Sequence, residues 1–391
     1  MNLLELVVLV LGAVLIVACA AFVVGAFVPR IPHVGAWGSL LWPTAPGAMT
    51  IVLSVALAIE ILALTMTGSR TALAFVALGT LTLCGSLVIL GAQIVAATRA
   101  GVPIGPGTLV AIGLGPKSKP DDEVTYASDP DGGPLRMVVY RPRGAEREEA
   151  APIVVYVHGG GWYQGAPDEN PAMLRWFADE GYLVFAPAYS LATDERPTWD
   201  VATSQITCAL AWIGEHAAEF GGDPDRIAVW GASAGGNLSL TSTFATAAGR
   251  SVSPCSTAMP RIAAAAGEVP AVDPAWVHDN PDRVWGPRTR EMVERYIGGD
   301  TAVHPERLAA VQVATYLSTA APPTLLSASR GDHLVPVGGI EQFVDDARAA
   351  GADVDVVYRR FGDHLVAAIY GGLASQKMLR QFRDHFRRHG V

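Results

Sequence analysis

Charge is what the first hundred residues of this 391-residue chain lack: they hold Glu5, Arg30, Glu60, Arg70 and Arg99, and no other Asp, Glu, Lys or Arg. A surface facing water on all sides is excluded there, because so little charge cannot solvate it. Cysteine is scarce too. Of four, Cys19 and Cys84 fall in apolar stretches and Cys208 and Cys255 stand far apart, so neither a disulfide framework nor metal-ligand spacing emerges. No polybasic arm is present: the whole chain sets 28 Lys and Arg against 37 Asp and Glu, which excludes a nucleic-acid surface. Internal repeats and low-complexity tracts are also missing.

Long apolar runs fill the space that charge leaves. Residues 3–27, 49–67 and 71–97 each reach the roughly 20 residues a helix needs to cross about 30 Å of hydrocarbon. They predict a three-helix transmembrane region over residues 1–99. A cleaved signal peptide is the rival for the first run, but no Lys or Arg precedes it and the apolar stretch continues past Cys19, which favours a retained anchor. Arg30, Arg99, Lys117 and Lys119 flank one face of the spans and Arg70 the other, so the positive-inside rule leans toward a cytoplasmic C-terminal domain. Glu60 falls mid-span, where an ionisable group is costly and is read first as a functional site or as a neutral bond to another span.

A Gly/Pro-rich linker occupies 100–123, and a single domain of ordinary size follows at 124–391. Strand patterns at 136–142, 152–158, 182–189, 226–231, 323–329 and 354–361 alternate with helical ones near 172–180, 202–220, 340–350 and 376–389. The middle four strands are apolar throughout, as in strands buried on both faces. The expected fold is α/β, a mostly parallel sheet covered by helices, with a cap insertion at about 250–316 where the pattern loosens. In such a sheet the chemistry gathers at the C-terminal strand ends.

Two motifs stand there. "GASAGGN" from Gly231 fits G-x-S-x-G between a strand and a helix, which makes Ser233 a candidate nucleophile on a tight turn whose glycines let backbone pass closely. "HGGGW" from His158 follows an earlier strand and offers backbone amides that no side chain blocks. Gly159 and Gly160, with the amide of Ala234, are the expected donors to an oxyanion. A phosphate cradle is a poor alternative, since no P-loop lysine follows and the G-x-G-x-x-G spacing fails at Gln164. His158 reads as a loop organiser.

A serine needs a base, and the base a carboxylate to orient it. In the order Ser, acid, His, each after a later strand, Asp332 in "RGDHLVP" is the acid and His364 in "FGDHLVAA" the base. Both loops read Gly-Asp-His-Leu-Val. His333 breaks the order and Asp363 adjoins His364 too closely to orient it. Trp162, Tyr163, Trp276 and Trp285 are candidate substrate-binding residues, the last two as walls of an acyl pocket. His385 and His389, four apart among arginines, read as a solvated helix and not as a metal site, and no metal ligand set is assigned.

These four motifs together resemble the α/β-hydrolases of the hormone-sensitive-lipase-like carboxylesterase group, from residue 152 to the C-terminus. The resemblance also extends to "PAYSLATDERPTW" and "YLSTAAPPTLL". It implies a serine carboxylesterase or lipase with a cap and no cofactor. Ala232 stands where members commonly carry Asp, and "YSLATDE" replaces an Arg-Leu-Ala-Pro-Glu run. The membrane front end is similar in layout to membrane-bound prenylcysteine methylesterases. The expectation is a membrane-anchored enzyme hydrolysing a lipophilic ester through an acyl-enzyme, with the bilayer as its second partner. Two alternatives stay open: an acyltransferase that passes the same acyl group to a lipid or sugar hydroxyl, and a non-catalytic scaffold.

Overall fold

The computed structural model describes residues 2–111, 118–143, 149–251, 255 and 258–391. The linker residues 112–117, Lys117 among them, and positions 252–254, 256 and 257 of the expected cap lie outside the described residues.

The apolar runs form α1 (Leu3–Phe27), α3 (Pro46–Thr67) and α4 (Arg70–Arg99), three helices long and apolar enough to cross a membrane. Between the first two lies α2 (Val34–Thr44), which the sequence pattern did not suggest and which is too short to span. It folds back on α1 because glycines meet there. A Cβ on Gly38 would stand 2.6 Å from the Cα of Gly25, so only bare backbone lets the two helices touch. Glu60 is fully buried on α3 against Gly12 of α1, and its carboxyl oxygens find no hydrogen-bond partner among the described residues. A single turn, α5 (Pro106–Leu109), leads into the domain.

The domain is built on eight strands: β1 (Asp122–Ser128), β2 (Pro134–Tyr140), β3 (Ala151–Val157), β4 (Leu183–Pro187), β5 (Gly222–Ala232), β6 (Ile262–Glu268), β7 (Thr324–Ser329) and β8 (Val354–Arg359). They lie in the order β1-β2-β4-β3-β5-β6-β7-β8, antiparallel at the β1–β2 and β2–β4 pairings and parallel from β4 onward. Helices α6 (Pro171–Asp179) and α13 (Leu373–Arg388) cover one face of the sheet, and α7 (Ala202–His216), α8 (Ala234–Ala247) and α12 (Val337–Ala349) the other. Of the three long apolar helices, α4 meets the domain on the α13 side, where its Ala97 packs on Leu373.

Four expectations need correction. The strand β6 reads "IAAAAGE", and its alanines carry a helix propensity that tertiary burial overrides. It falls inside the expected cap, so the cap proper is α9 (Pro274–His278), α10 (Gly286–Ile297) and α11 (Pro305–Val311), inserted between β6 and β7. Cys208 and Cys255 are joined in a disulfide despite their separation of 47 residues, because the packing of α7 beside α8 brings the two chain segments together. His385 is buried, not solvated, with its Nε2 donating to the Pro323 carbonyl at 3.1 Å.

Candidate active site

The turn from β5 to α8 is forced by its neighbours. Ser233 sits at φ 54°, ψ −120°, a region that a side-chain-bearing residue enters at a cost of about 1–3 kcal/mol unless the surroundings over-determine it. Here they do: its amide donates to the Glu268 carbonyl at 2.9 Å, and its carbonyl accepts from Asn237 and Ala271 amides at 3.1 Å each. A Cβ on Gly235 would collide with the carbonyls of Val157 and His158, so the motif's second glycine is required by this close crossing.

The HGGG loop lies against that turn. A Cβ on Gly159 would come within 3.4 Å of the Ser233 Cβ, so the loop's first glycine is directly beside the serine. Gly160 at φ 110° and Gly161 at φ 60° hold a conformation that side chains resist. Among the described residues, neither Gly159 nor Gly160 donates its amide to a backbone carbonyl. Ala234 opens α8, where first-turn amides have no intrahelical acceptor. His158 stacks on Tyr189 with ring centroids 4.3 Å apart and bonds the Gly159 carbonyl through Nδ1 at 2.8 Å. Burial pushes its pKa down to about 4, so it is a neutral loop organiser.

Asp332 and His364 meet, with Asp332 Oδ2 accepting from His364 Nδ1 at 2.9 Å. The other carboxylate oxygen accepts the amides of Leu334 at 2.9 Å and Val335 at 2.8 Å, which fixes the acid. Burial alone would lower the pKa of His364, but the Asp332 charge and hydrogen bond outweigh it and raise the net value. Sequence reading missed the counterpart: His333 Nδ1 bonds Asp363 Oδ2 at 2.5 Å, so each loop's histidine pairs with the other loop's aspartate. The repeated pentapeptide was the available signal. A further buried ion pair, Glu268 with Arg359, lies at the floor, and Arg359 also bonds Ser327 and Ser329.

Ser233, His364, Gly159 and Gly160 open onto one cavity of about 390 Å³. Its walls are largely apolar, with Trp285, Met292, Leu334, Val335 and Leu365, and Arg288 and Glu169 supply charge. Trp162, Tyr163 and Trp285 also line it. Trp162 is an anchor as well as a wall, stacked on Tyr296 at 4.7 Å with its indole N–H donating to Asn237. Trp276 is not brought to the cavity: it is 44% exposed and packs against Gly338 and Gly339 of α12. In the cap, His278, Glu294 and Asp300 hold ligand atoms within 4.8 Å of one another, but His278 is already bonded to Asp279 and Glu294.

This architecture and elbow define an α/β-hydrolase. The chain belongs to the BD-FAE family, which it matches over residues 137–345. It is 47% identical over 89 residues to carboxylesterase NlhH of Mycobacterium tuberculosis, covering 22% of this chain and 27% of that protein. It is 33% identical over 129 residues to hormone-sensitive lipase of Mus musculus, covering 33% of this chain and 16% of that one. The chain therefore spans about a quarter or less of the length of these two curated relatives. A thermophilic esterase from Thermogutta terrifontis, solved with propionate bound, superposes with a TM-score of 0.57 at 23% identity, over 70% of this chain and 96% of that one. The expected membership in the hormone-sensitive-lipase-like group holds.

Proposed function

We propose that this protein is a membrane-anchored serine carboxylesterase acting on a lipophilic ester. The observation that carries the reading is the Asp332–His364 hydrogen bond at the rim of a cavity that also holds Ser233. With Nδ1 held by Asp332, His364 keeps Nε2 for the Ser233 hydroxyl proton. Ser233 Oγ attacks the ester carbonyl, and the amides of Gly159, Gly160 and Ala234 receive the developing oxyanion. Collapse expels the alcohol, protonated by His364. Water then resolves the acyl-enzyme by the same route.

A lipophilic substrate is supported by the apolar walls and by Leu365, which follows His364 and is 49% exposed. The membrane side reaches the same wall, since Trp37 of α2 packs edge-on to Trp285 with centroids 6.2 Å apart. The disulfide favours the oxidising side of the membrane for the domain, against the lean of the flanking charges. Reporter fusions to the C-terminus decide between the faces.

Fluorophosphonate labelling of the detergent-solubilised protein tests the chemistry. Wild type should label and Ser233→Ala should not; equal labelling of both would remove Ser233 from the mechanism. A chain-length panel of esters then tests the lipophilic reading, which equal turnover of acetyl and long-chain esters would overturn.

A further inference from the structure

We propose that Asp363, His333 and Ser39 are positioning residues for the Asp332–His364 pair, and that the membrane segment completes them, so that turnover is conditional on the docking of α2 against the domain. This rests on the esterase reading of Ser233, Asp332 and His364.

The repeated pentapeptide is cross-stitched. Asp363 receives the side chain of His333 on Oδ2 at 2.5 Å, the backbone amide of His333 on Oδ1 at 3.1 Å and the amide of His364 on Oδ1 at 2.6 Å. One carboxylate therefore grips the backbone of the base and of the residue that follows the acid. The loops also touch directly: a Cβ on Gly331 would stand 3.0 Å from the Gly362 carbonyl. Moving either loop breaks the geometry of both.

Further contacts come from outside the domain. The Pro29 carbonyl, between α1 and α2, accepts from His333 Nε2 at 2.8 Å. Ser39 Oγ, buried on α2, lies 2.8 Å from Asp363 Oδ2 and 3.4 Å from His333 Nδ1. Its single proton has a rival acceptor in the Gly35 carbonyl, also at 2.8 Å, but the ionised carboxylate is the stronger one. Phe27 packs edge-on to Phe361, the residue before the second loop, at 5.1 Å. Ring nitrogens that both face acceptors suit an imidazolium, so His333 serves as a clamp and not as a base. Asn280 Nδ2 bonds the His333 carbonyl at 2.6 Å and closes the network from the cap.

The test is steady-state turnover of a chromogenic ester by the full-length protein in nanodiscs, with fluorophosphonate labelling to count competent sites. Ser39→Ala removes one bond to a carboxylate without changing charge, and should lower kcat about tenfold per labelled site with KM unchanged. Asp363→Asn loosens both loops and should lower kcat about a hundredfold. It should also move the acid limb of kcat/KM to lower pH, because a negative charge that favours the His364 imidazolium is gone. The charged groups facing His333 are Asp363 and, at 4.0 Å, Asp282 of the cap; Pro29 and Ser39 face it uncharged from the membrane side, and Arg30, Arg283, Arg330 and Glu341 line the adjoining cleft. Wild-type kcat in Ser39→Ala, or an unmoved acid limb in a folded Asp363→Asn, would overturn the proposal while leaving the esterase reading intact. Should Asp363→Asn not fold, Ser39→Ala alone decides. A wild type that neither labels nor turns over would overturn the esterase reading and this proposal with it.

Discussion

Five identical residues, Gly331 to Val335 and Gly362 to Val366, follow the neighbouring strands β7 and β8 at the sheet's edge and arrive at different chemistry. In the first loop the aspartate faces the cavity's histidine and the histidine faces the segment between α1 and α2. In the second the roles are exchanged. Residue type is therefore silent about role here, and partners decide it. Burial pulls on both histidines, yet the hydrogen bond and charge of Asp363, aided by the Pro29 carbonyl and Asp282, bring His333 up to about 9.

The sharpest way to break the comparison is to neutralise each aspartate in turn. Asp332→Asn should cost about 10⁴-fold in kcat, as loss of the orienting charge and tautomer does. The hundredfold loss expected of Asp363→Asn is clearly smaller. Equal losses would make the loops equivalent and end the distinction between orienting and positioning. The next largest effect is on pH. The base must be neutral to act, and its pKa is raised, so the acid limb of kcat/KM should lie above 6.5, the ordinary histidine value. A limb below that value would mean that the Asp332 charge does not reach His364 during catalysis.

Stability should separate the loops as well. The raised His333 pKa contributes stability that is fully present below the ordinary 6.5 and is lost as pH rises through about 9. Asp363 is shifted the other way: burial opposes ionisation, the His333 bond and charge win, and its contribution is present above the ordinary 3.8 and lost as pH falls through a lower value. The Tm gap between wild type and His333→Gln should accordingly be widest between about pH 4 and 6.5 and close above about 9. A gap that does not change with pH would reduce the pair to packing. The smallest effect is expected of Trp37→Ala, which removes one edge-on aromatic contact and should raise KM for long-chain esters about threefold with short-chain KM unmoved.

Much of this was legible because its physics is local. The three long apolar helices follow from apolar length, and the turn at Ser233 from glycines whose Cβ atoms would strike backbone. What escaped depended on distant neighbours. β6 is a strand because β5 and β7 flank an alanine run that would otherwise favour a helix. Helix α2 is held by its glycine contact with α1 and by Ser39 and Trp37, none of which has a periodic signature. The crossing of the two pentapeptides needs the β7–β8 register, which puts Ser329 opposite Arg359 and so brings the loops side by side.

The Cys208–Cys255 bridge encloses β5, Ser233 and α8 within one covalent ring. A protease that cuts once inside that ring releases no fragment, and the nucleophile's segment stays tethered at both ends. On a denaturing gel without reductant a nicked protein runs as a single chain, and with reductant it falls in two. Gel mobility thus becomes a ruler for whether the ring had closed before the cut, read from the integrity of the polymer and not from its activity.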